Sequence, residues 1–222
     1  VGAPTALLFV VAALLPLVLV GAAPGAGQRH AVTGHFNLPR LPASRPASSP
    51  SLNVVTNSSF ESGSIDGGWY QCGDVNAYAT TEHPYVGRYE EYSGLPSGVG
   101  EPLGNSGVCQ RVTIPKAGVL TARLYQLSNE NGAAFAYQEA DLLDDRGNVI
   151  VNLFRAVNNR PTWVLGRWNL DGYAGRTLWI YFGVHGDGYP KLSTQQFLDD
   201  VILTTAESVP PKQAHRHLER EE

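Results

Sequence analysis

The chain of 222 residues carries 16 basic and 20 acidic side chains, a net charge of -4, and 43% of it is hydrophobic. One ordinary domain with flanking segments fits that length, and 24 Gly with 15 Pro suit a turn-rich β protein while falling short of a low-complexity chain. Residues 51–206 hold 10 basic against 16 acidic side chains; a surface of that sign repels phosphate backbones and argues against nucleic acid as a partner.

Residues 6–20 read ALLFVVAALLPLVLV, an uncharged apolar run followed by the small residues Gly21, Ala22 and Ala23. A bilayer-spanning helix needs about 20 apolar residues, and Pro16 interrupts this run. Residues 1–23 are therefore expected to be a secretory signal peptide cleaved after Ala22 or, uncleaved, an N-terminal membrane anchor. Two features depart from that pattern: no Lys or Arg precedes the run, and residue 1 is Val. Either way the domain is secreted or extracytoplasmic, and the membrane is met only through this segment. Residues 24–51, rich in Pro, Ser, Ala and Gly with three Arg and no acid, are expected to form an extended, unpacked linker.

Cys72 and Cys109 are the two cysteines. In an exported protein such a pair suggests one disulfide; reduced core thiols and a partial metal site are the rival readings. From residue 51 to 205 apolar residues recur at every second position in short runs between turn signals, which predicts an all-β domain. Predicted strands cover 119–127, 136–143, 149–154, 164–170, 178–184 and 197–203. Residues 144–148 (DDRGN) form a hairpin turn, and 171–175 (DGYAG) form a second turn. Seven to nine strands with such connections make a two-sheet antiparallel β-sandwich over residues 52–206. Residues 207–222 are charged and read as a solvated tail.

Alternation also sorts the aromatic residues. Trp179 and Tyr181 point away from the face that carries Ile180 and Phe182. Trp163 and Arg167 turn away from Val164, Trp168 and Leu170, and Arg123 with Tyr125 is placed the same way. Sugar rings present an apolar C–H face and a rim of hydroxyls, so outward aromatics with nearby polar groups are candidate ligand residues. Tyr78, Tyr85, Tyr89 and Tyr92 form a second cluster in an expected loop region, with Tyr85 and Tyr89 as candidates. For each of these, packing under a loop is the competing role.

Several motifs then stand in order. Asn57-Ser58-Ser59-Phe60-Glu61-Ser62-Gly63 with Gly68-Trp69, Cys109 to Pro115 (CQRVTIP), and Phe197 to Leu203 (FLDDVIL) resemble the N-x-x-F-E-x-G, Q-x-V-x-I-P and D-D-V segments of jelly-roll carbohydrate-binding modules of the galactose-binding-like superfamily. The resemblance spans residues 52–205 and implies a jelly roll with Trp69 in its core. It also implies a structural Ca²⁺ held by Glu61 at the end of the first strand and by one of Asp199 and Asp200 at the start of the last, with carbonyls from residues 83–88. Turn capping or pairing with Arg is the alternative role for these acids. Asn57-Ser58-Ser59 is also a glycosylation sequon, expected to be structural and unmodified.

Glu139-Ala140-Asp141-Leu142-Leu143-Asp144 resembles the E-x-D-x-x-E strand of retaining jelly-roll glucanases, but its last acid is Asp and falls on a turn. The expected function is an exported, non-catalytic module that recognises a polysaccharide or cell-surface glycan. A structural or adhesion sandwich contacting protein or cell envelope is the alternative, and a glycoside hydrolase using Glu139 and Asp141 the minor one.

Overall fold

The computed structural model describes residues 36–39, 53–96 and 98–205. The expected leader (1–23), most of the linker and the charged tail (207–222) lie outside the described residues. Within the linker, the expectation of unpacked chain fails at Phe36. Its ring is buried, with its centroid 4.4 Å from that of Tyr181, and its N–H donates to the Gly147 carbonyl at 3.1 Å. A large aromatic in a Pro/Ser-rich segment finds an apolar slot, and composition averaged over 28 residues conceals it.

Ten strands are described: β1 (Tyr70–Gln71), β2 (Tyr78–Thr80), β3 (Glu90–Gly94), β4 (Leu103–Thr113), β5 (Gly118–Ser128), β6 (Tyr137–Leu143), β7 (Val149–Ala156), β8 (Arg160–Asn169), β9 (Thr177–Asp187) and β10 (Thr194–Thr205). Sheet one has the order β1-β4-β9-β6-β7 and sheet two the order β2-β3-β10-β5-β8. All strand pairs are antiparallel. From β3 to β6 successive strands alternate between the sheets, and after the β6–β7 hairpin β8, β9 and β10 alternate again. That is a jelly-roll β-sandwich, as expected.

Period-two patterning places the core. Leu120, Ala122 and Leu124 of β5 and Leu198, Val201 and Leu203 of β10 face Val108, Ala140, Leu142, Leu178, Ile180 and Phe182 of sheet one. Each Val, Leu, Ile or Phe among them contributes roughly 1.5–3 kcal/mol by leaving water. Trp69 joins the same core, as the motif implies, with its ring 5.5 Å from that of Phe60.

Two expectations about local structure are corrected. The segment 57–63 is a turn and not an opening strand: Asn57 and Phe60 have φ of 45° and 58°, and Gly63 N–H closes onto the Phe60 carbonyl at 2.9 Å. The Asn57 side-chain amide donates to Ser62 Oγ, the Ser64 carbonyl and the Asp66 carbonyl at 2.8–3.1 Å, a hub that suits a residue tolerant of left-handed φ. Tyr78 and Tyr92, expected in a loop, instead sit opposite each other on β2 and β3.

Cys72 and Cys109 form a disulfide across a sequence separation of 37, tying the segment before β2 to the middle of β4. Closing a loop of that length stabilises the fold by about 3–4 kcal/mol in the chain-entropy model. Urea titration of a Cys72→Ala/Cys109→Ala double variant should show a loss of that order; a loss below about 1 kcal/mol would mean that the contacts around Tyr70 and Trp179 already close the loop.

Candidate functional site

The outward face of sheet two collects most of the predicted aromatics. Cross-strand register lines up Tyr78, Tyr92, Phe197 and Tyr125 in one row over β2, β3, β10 and β5. Trp163 of β8 extends it, with centroid separations of 4.9–5.7 Å along the row. Residues 81–88 lie over the middle of this band. The His83 ring stacks on Tyr125 at 4.6 Å and meets Phe197 edge-on at 4.9 Å, and the Trp163 indole N–H donates to the His83 carbonyl at 2.9 Å. Tyr85 reaches Trp163 at 5.8 Å, and the Arg123 guanidinium lies over the Tyr85 ring at 4.3 Å. The structure thus gathers Tyr85, Arg123, Tyr125 and Trp163, adds His83, Tyr92 and Phe197, and leaves Arg167 exposed one row away opposite Thr121. Tyr89 stands apart: it packs against the core and contacts Gly63.

Three carboxylates hold that loop. Glu90 Oε1 accepts from His83 N–H at 2.7 Å. Asp199 Oδ2 accepts from Tyr85 and Val86 N–H, both at 2.9 Å, and Glu61 accepts from Arg88 and Tyr89 N–H at 2.9–3.1 Å. Burial pushes the Glu90 carboxyl up to about 7 and that of Asp199 up to about 6, against the pull of these same amides. Of the two aspartates only Asp199 meets the loop. Asp200 sits at φ 48° in the β10 bulge and donates its N–H to Asp199 Oδ1. Amide hydrogens repel a cation, so this geometry fits loop capping; Ca²⁺ at Glu61 and Asp199 requires carbonyl oxygens from residues 83–88 instead.

The outward face of sheet one divides in two. At one half Trp179 and Tyr181 leave the core face as expected but are no exposed platform, being only 2% and 0% exposed. Phe36, Leu38, Tyr70 and the disulfide pack on them, and the Trp179 indole donates to Asp145 Oδ1 at 3.1 Å. Asp145 also forms a bidentate pair with Arg111, both bonds at 2.9 Å.

The other half is polar. Arg155 of β7 lies over the Tyr137 ring at 4.1 Å, Tyr137 stacks on His185 of β9 at 5.0 Å, and His185 Nδ1 bonds Asn105 Oδ1 of β4 at 2.7 Å. In the adjoining rows Glu139 Oε2 accepts from Arg155 Nη2 at 2.9 Å, and Asp141 Oδ1 accepts from Asn152 Nδ2 at 2.7 Å. Asp141 Oδ2 is buried and receives no amide or guanidinium donor, the Glu139 carboxyl being its hydrogen-bonding neighbour. The floor beneath is Gly107 and Gly183, paired across β4 and β9. A Cβ on either would meet the Tyr181 hydroxyl at 2.6 or 2.4 Å. Exposure is graded across this polar face, with Arg155 and Asn152 exposed at the β7 edge and Glu139, Asp141 and His185 buried within.

Burial, and for Glu139 the charge of Asp141, pushes both carboxyls up; the ion pair with Arg155 opposes this and is the smaller effect. The pair shares a proton near neutral pH, as two carboxyls in one dry site must. Asp144, the third acid of the E-x-D-x-x-E resemblance, caps its own turn by accepting from Arg146 and Asn148 N–H at 2.8 and 2.9 Å. Sequence reasoning weighed Glu139 and Asp141 only as catalytic groups and missed Tyr137, Asn105, Arg155 and His185. Alternation places these on the same face, but only the pairing of β4, β9, β6 and β7 brings them side by side.

No family model matches this chain, and no curated protein matches its sequence. Solved structures do resemble it. A family 61 carbohydrate-binding module, TmCBM61, in complex with beta-1,4-galactotriose is 17% identical with a TM-score of 0.49, over 70% of this chain and 99% of that one. The CBM22-1 xylan-binding domain of Paenibacillus barcinonensis Xyn10C is 18% identical with a TM-score of 0.42, over 72% and 99%. The K1 cleaved adhesin domain of Lys-gingipain from Porphyromonas gingivalis W83 is 16% identical with a TM-score of 0.46, over 66% and 95%.

The acid pair has a consequence for stability. A carboxyl raised in the folded state holds its proton more tightly there than in the unfolded chain. Its contribution is complete below the unfolded value near 4.5 and is lost as pH rises through the folded value of about 8. Stability should therefore fall between pH 5 and 8, and Glu139→Gln should flatten the slope by up to about 1.4 kcal/mol per pH unit, the worth of one proton. Identical slopes in denaturant titrations of the two proteins would show that the pair is ionised throughout.

Proposed function

We propose that this domain is a non-catalytic binding module for a polysaccharide or cell-surface glycan, and that the polar face of sheet one is its site. The observation that carries the reading is the buried carboxyl pair of Glu139 and Asp141, held by Arg155 and Asn152 from the exposed β7 edge. Two carboxyls bridged by one proton keep lone pairs that no donor fills, and a ring hydroxyl donates to them. Carboxylates accept from sugar hydroxyls, Arg155 and Asn152 donate to their lone pairs, and the exposed β7 edge is the entrance. An acidic module of this kind favours neutral or basic glycans over anionic ones.

The aromatic band supports a second location. Its ends, Tyr78 and Tyr85, are 44% and 38% exposed, a size and chemistry that suit the apolar face of a sugar. Its middle is already occupied by His83, and its indole donor is already bonded, so less of its capacity is unspent than on the polar face of sheet one.

Binding fits the acids better than hydrolysis does. A retaining glycosidase needs two carboxyls on either side of the scissile bond, about 5–5.5 Å apart. Here Glu139 and Asp141 are neighbours on one strand that share a proton, and Asp144 faces its turn. The disulfide suits an oxidising, extracytoplasmic compartment, in line with the leader expected from residues 1–23.

Calorimetric titration against a panel of soluble galactans, xylans, mannans and β-glucans tests the reading. One glycan class should bind saturably without being hydrolysed, with Glu139→Gln or Asn152→Ala weakening it tenfold or more and Trp163→Ala leaving it unchanged. Loss in Trp163→Ala alone would move the site to the aromatic band. A flat response from folded protein across the panel would favour the adhesion or structural alternative.

A further inference from the structure

One end of the sandwich brings together the chain entering β4, leaving β5, leaving β9 and entering β10. There Glu101, Glu130 and Asp187 converge, each with a carboxylate oxygen within 4.8 Å of the others. Glu101 precedes β4 and Asp187 is the last residue of β9, both of sheet one, whereas Glu130 follows β5 of sheet two, so the cluster straddles the open end of the core.

The surrounding turns hold these acids in place. Glu101 N–H donates to the Tyr189 carbonyl at 3.2 Å, and Asp187 Oδ1 accepts from Tyr189 N–H at 3.0 Å. Glu130 N–H donates to Ser128 Oγ at 3.0 Å, and Ser193 N–H to Asn129 Oδ1 at 2.7 Å. Glu101 is 6% exposed. Its Oε1 accepts from Thr194 Oγ1 at 2.8 Å, while its Oε2 is buried without a hydrogen-bond partner. Burial, with the charges of Glu130 and Asp187 adding to it, pushes this carboxyl up to about 7 despite the Thr194 hydroxyl. Three like charges this close in a poorly hydrated corner are costly by themselves.

We propose that Glu101, Glu130 and Asp187 form a binding site for a hard divalent cation, Ca²⁺, which ties the two sheets together at this end. The trio offers only carboxylate oxygens, without His or Cys, which selects against zinc and copper. Its members come from three separate connections, and Ca²⁺ accepts such irregular sets because it takes six to eight oxygens at flexible geometry. The site is distinct from Glu61 and Asp199: Thr194 and Asp199 are five residues apart along β10, roughly 16 Å at the rise of a strand.

Calorimetric titration and thermal melting of the full chain, stripped with chelator and then given CaCl₂, test the proposal. At a hundredfold excess over Kd the melting temperature should rise by about 5–10 °C. Glu101→Gln and Asp187→Asn should each lower the affinity tenfold or more, whereas Glu61→Ala should leave it unchanged. The half-exposed Glu130→Gln serves in place of either buried variant should that variant not fold. No heat of binding and no melting shift at millimolar Ca²⁺ would overturn the site, as would a response that survives Glu101→Gln or Glu130→Gln and disappears in Glu61→Ala.

Discussion

Five backbone amides of residues 83–89 point at three carboxylates, those of Glu90, Asp199 and Glu61, and much of the surface chemistry follows from that one arrangement. Hydrogen bonds to an ionised acceptor are about twice as strong as neutral ones. Here they come from three parts of the chain far apart in sequence: the 57–63 turn, β3 and β10. Pinned in this way, the loop lays His83 on Tyr125 and Phe197 and draws the Trp163 indole to its own carbonyl. Sheet two is thereby half-roofed by its own chain. Sheet one is covered differently: Phe36 seals the Trp179 and Tyr181 half and leaves the acidic half bordered by Arg155 and Asn152.

The interior is also divided. Near β5, β6 and β10 the apolar core gives way to a network of amides. Gln126 Nε2 donates to Gln196 Oε1 at 2.9 Å, Gln138 Nε2 to the Leu127 carbonyl at 3.1 Å, and Asn158 Nδ2 to Gln126 Oε1 at 2.9 Å. Glu91, wholly buried and pushed well up by desolvation, accepts from Ser93 Oγ in the same region. Such a network gains little net energy over an apolar core, but each partner fits one register only, so a slipped strand leaves buried amides unpaired. The long pairings of β5 with β10 and β4 with β9 are specified by these polar ends as well as by the greasy middle.

The fold was largely legible from sequence. Alternation located the strands from β5 to β10 within a few residues and assigned the inward faces of β5 and β9 correctly, because a buried sheet face imposes period two. The 57–63 turn was misread as strand because the signal for it is the left-handed backbone at Asn57 and Phe60, and a Phe at positive φ is not an expectation that residue preferences supply. Pointing outward was also mistaken for being exposed. Trp179 and Tyr181 do leave the core face, yet they are covered by a residue more than 140 positions away. The polar face of sheet one was legible only in fragments. Glu139 and Asp141 stand out in a strand, but Asn105, Arg155 and His185 become their neighbours only through strand order.

The two glycines under that polar face bear on how the proposed site would diversify. Gly107 and Gly183 leave no room for even a methyl group, since the Tyr181 hydroxyl and backbone carbonyls already fill the space above them. Specificity therefore has no adjustable floor, and any side chain there would push Tyr181 out of the layer it shares with Phe36. In the proposed site, heritable change is confined to positions such as Asn152 and Arg155 at the exposed edge, where a substitution alters the chemistry without disturbing the sheet.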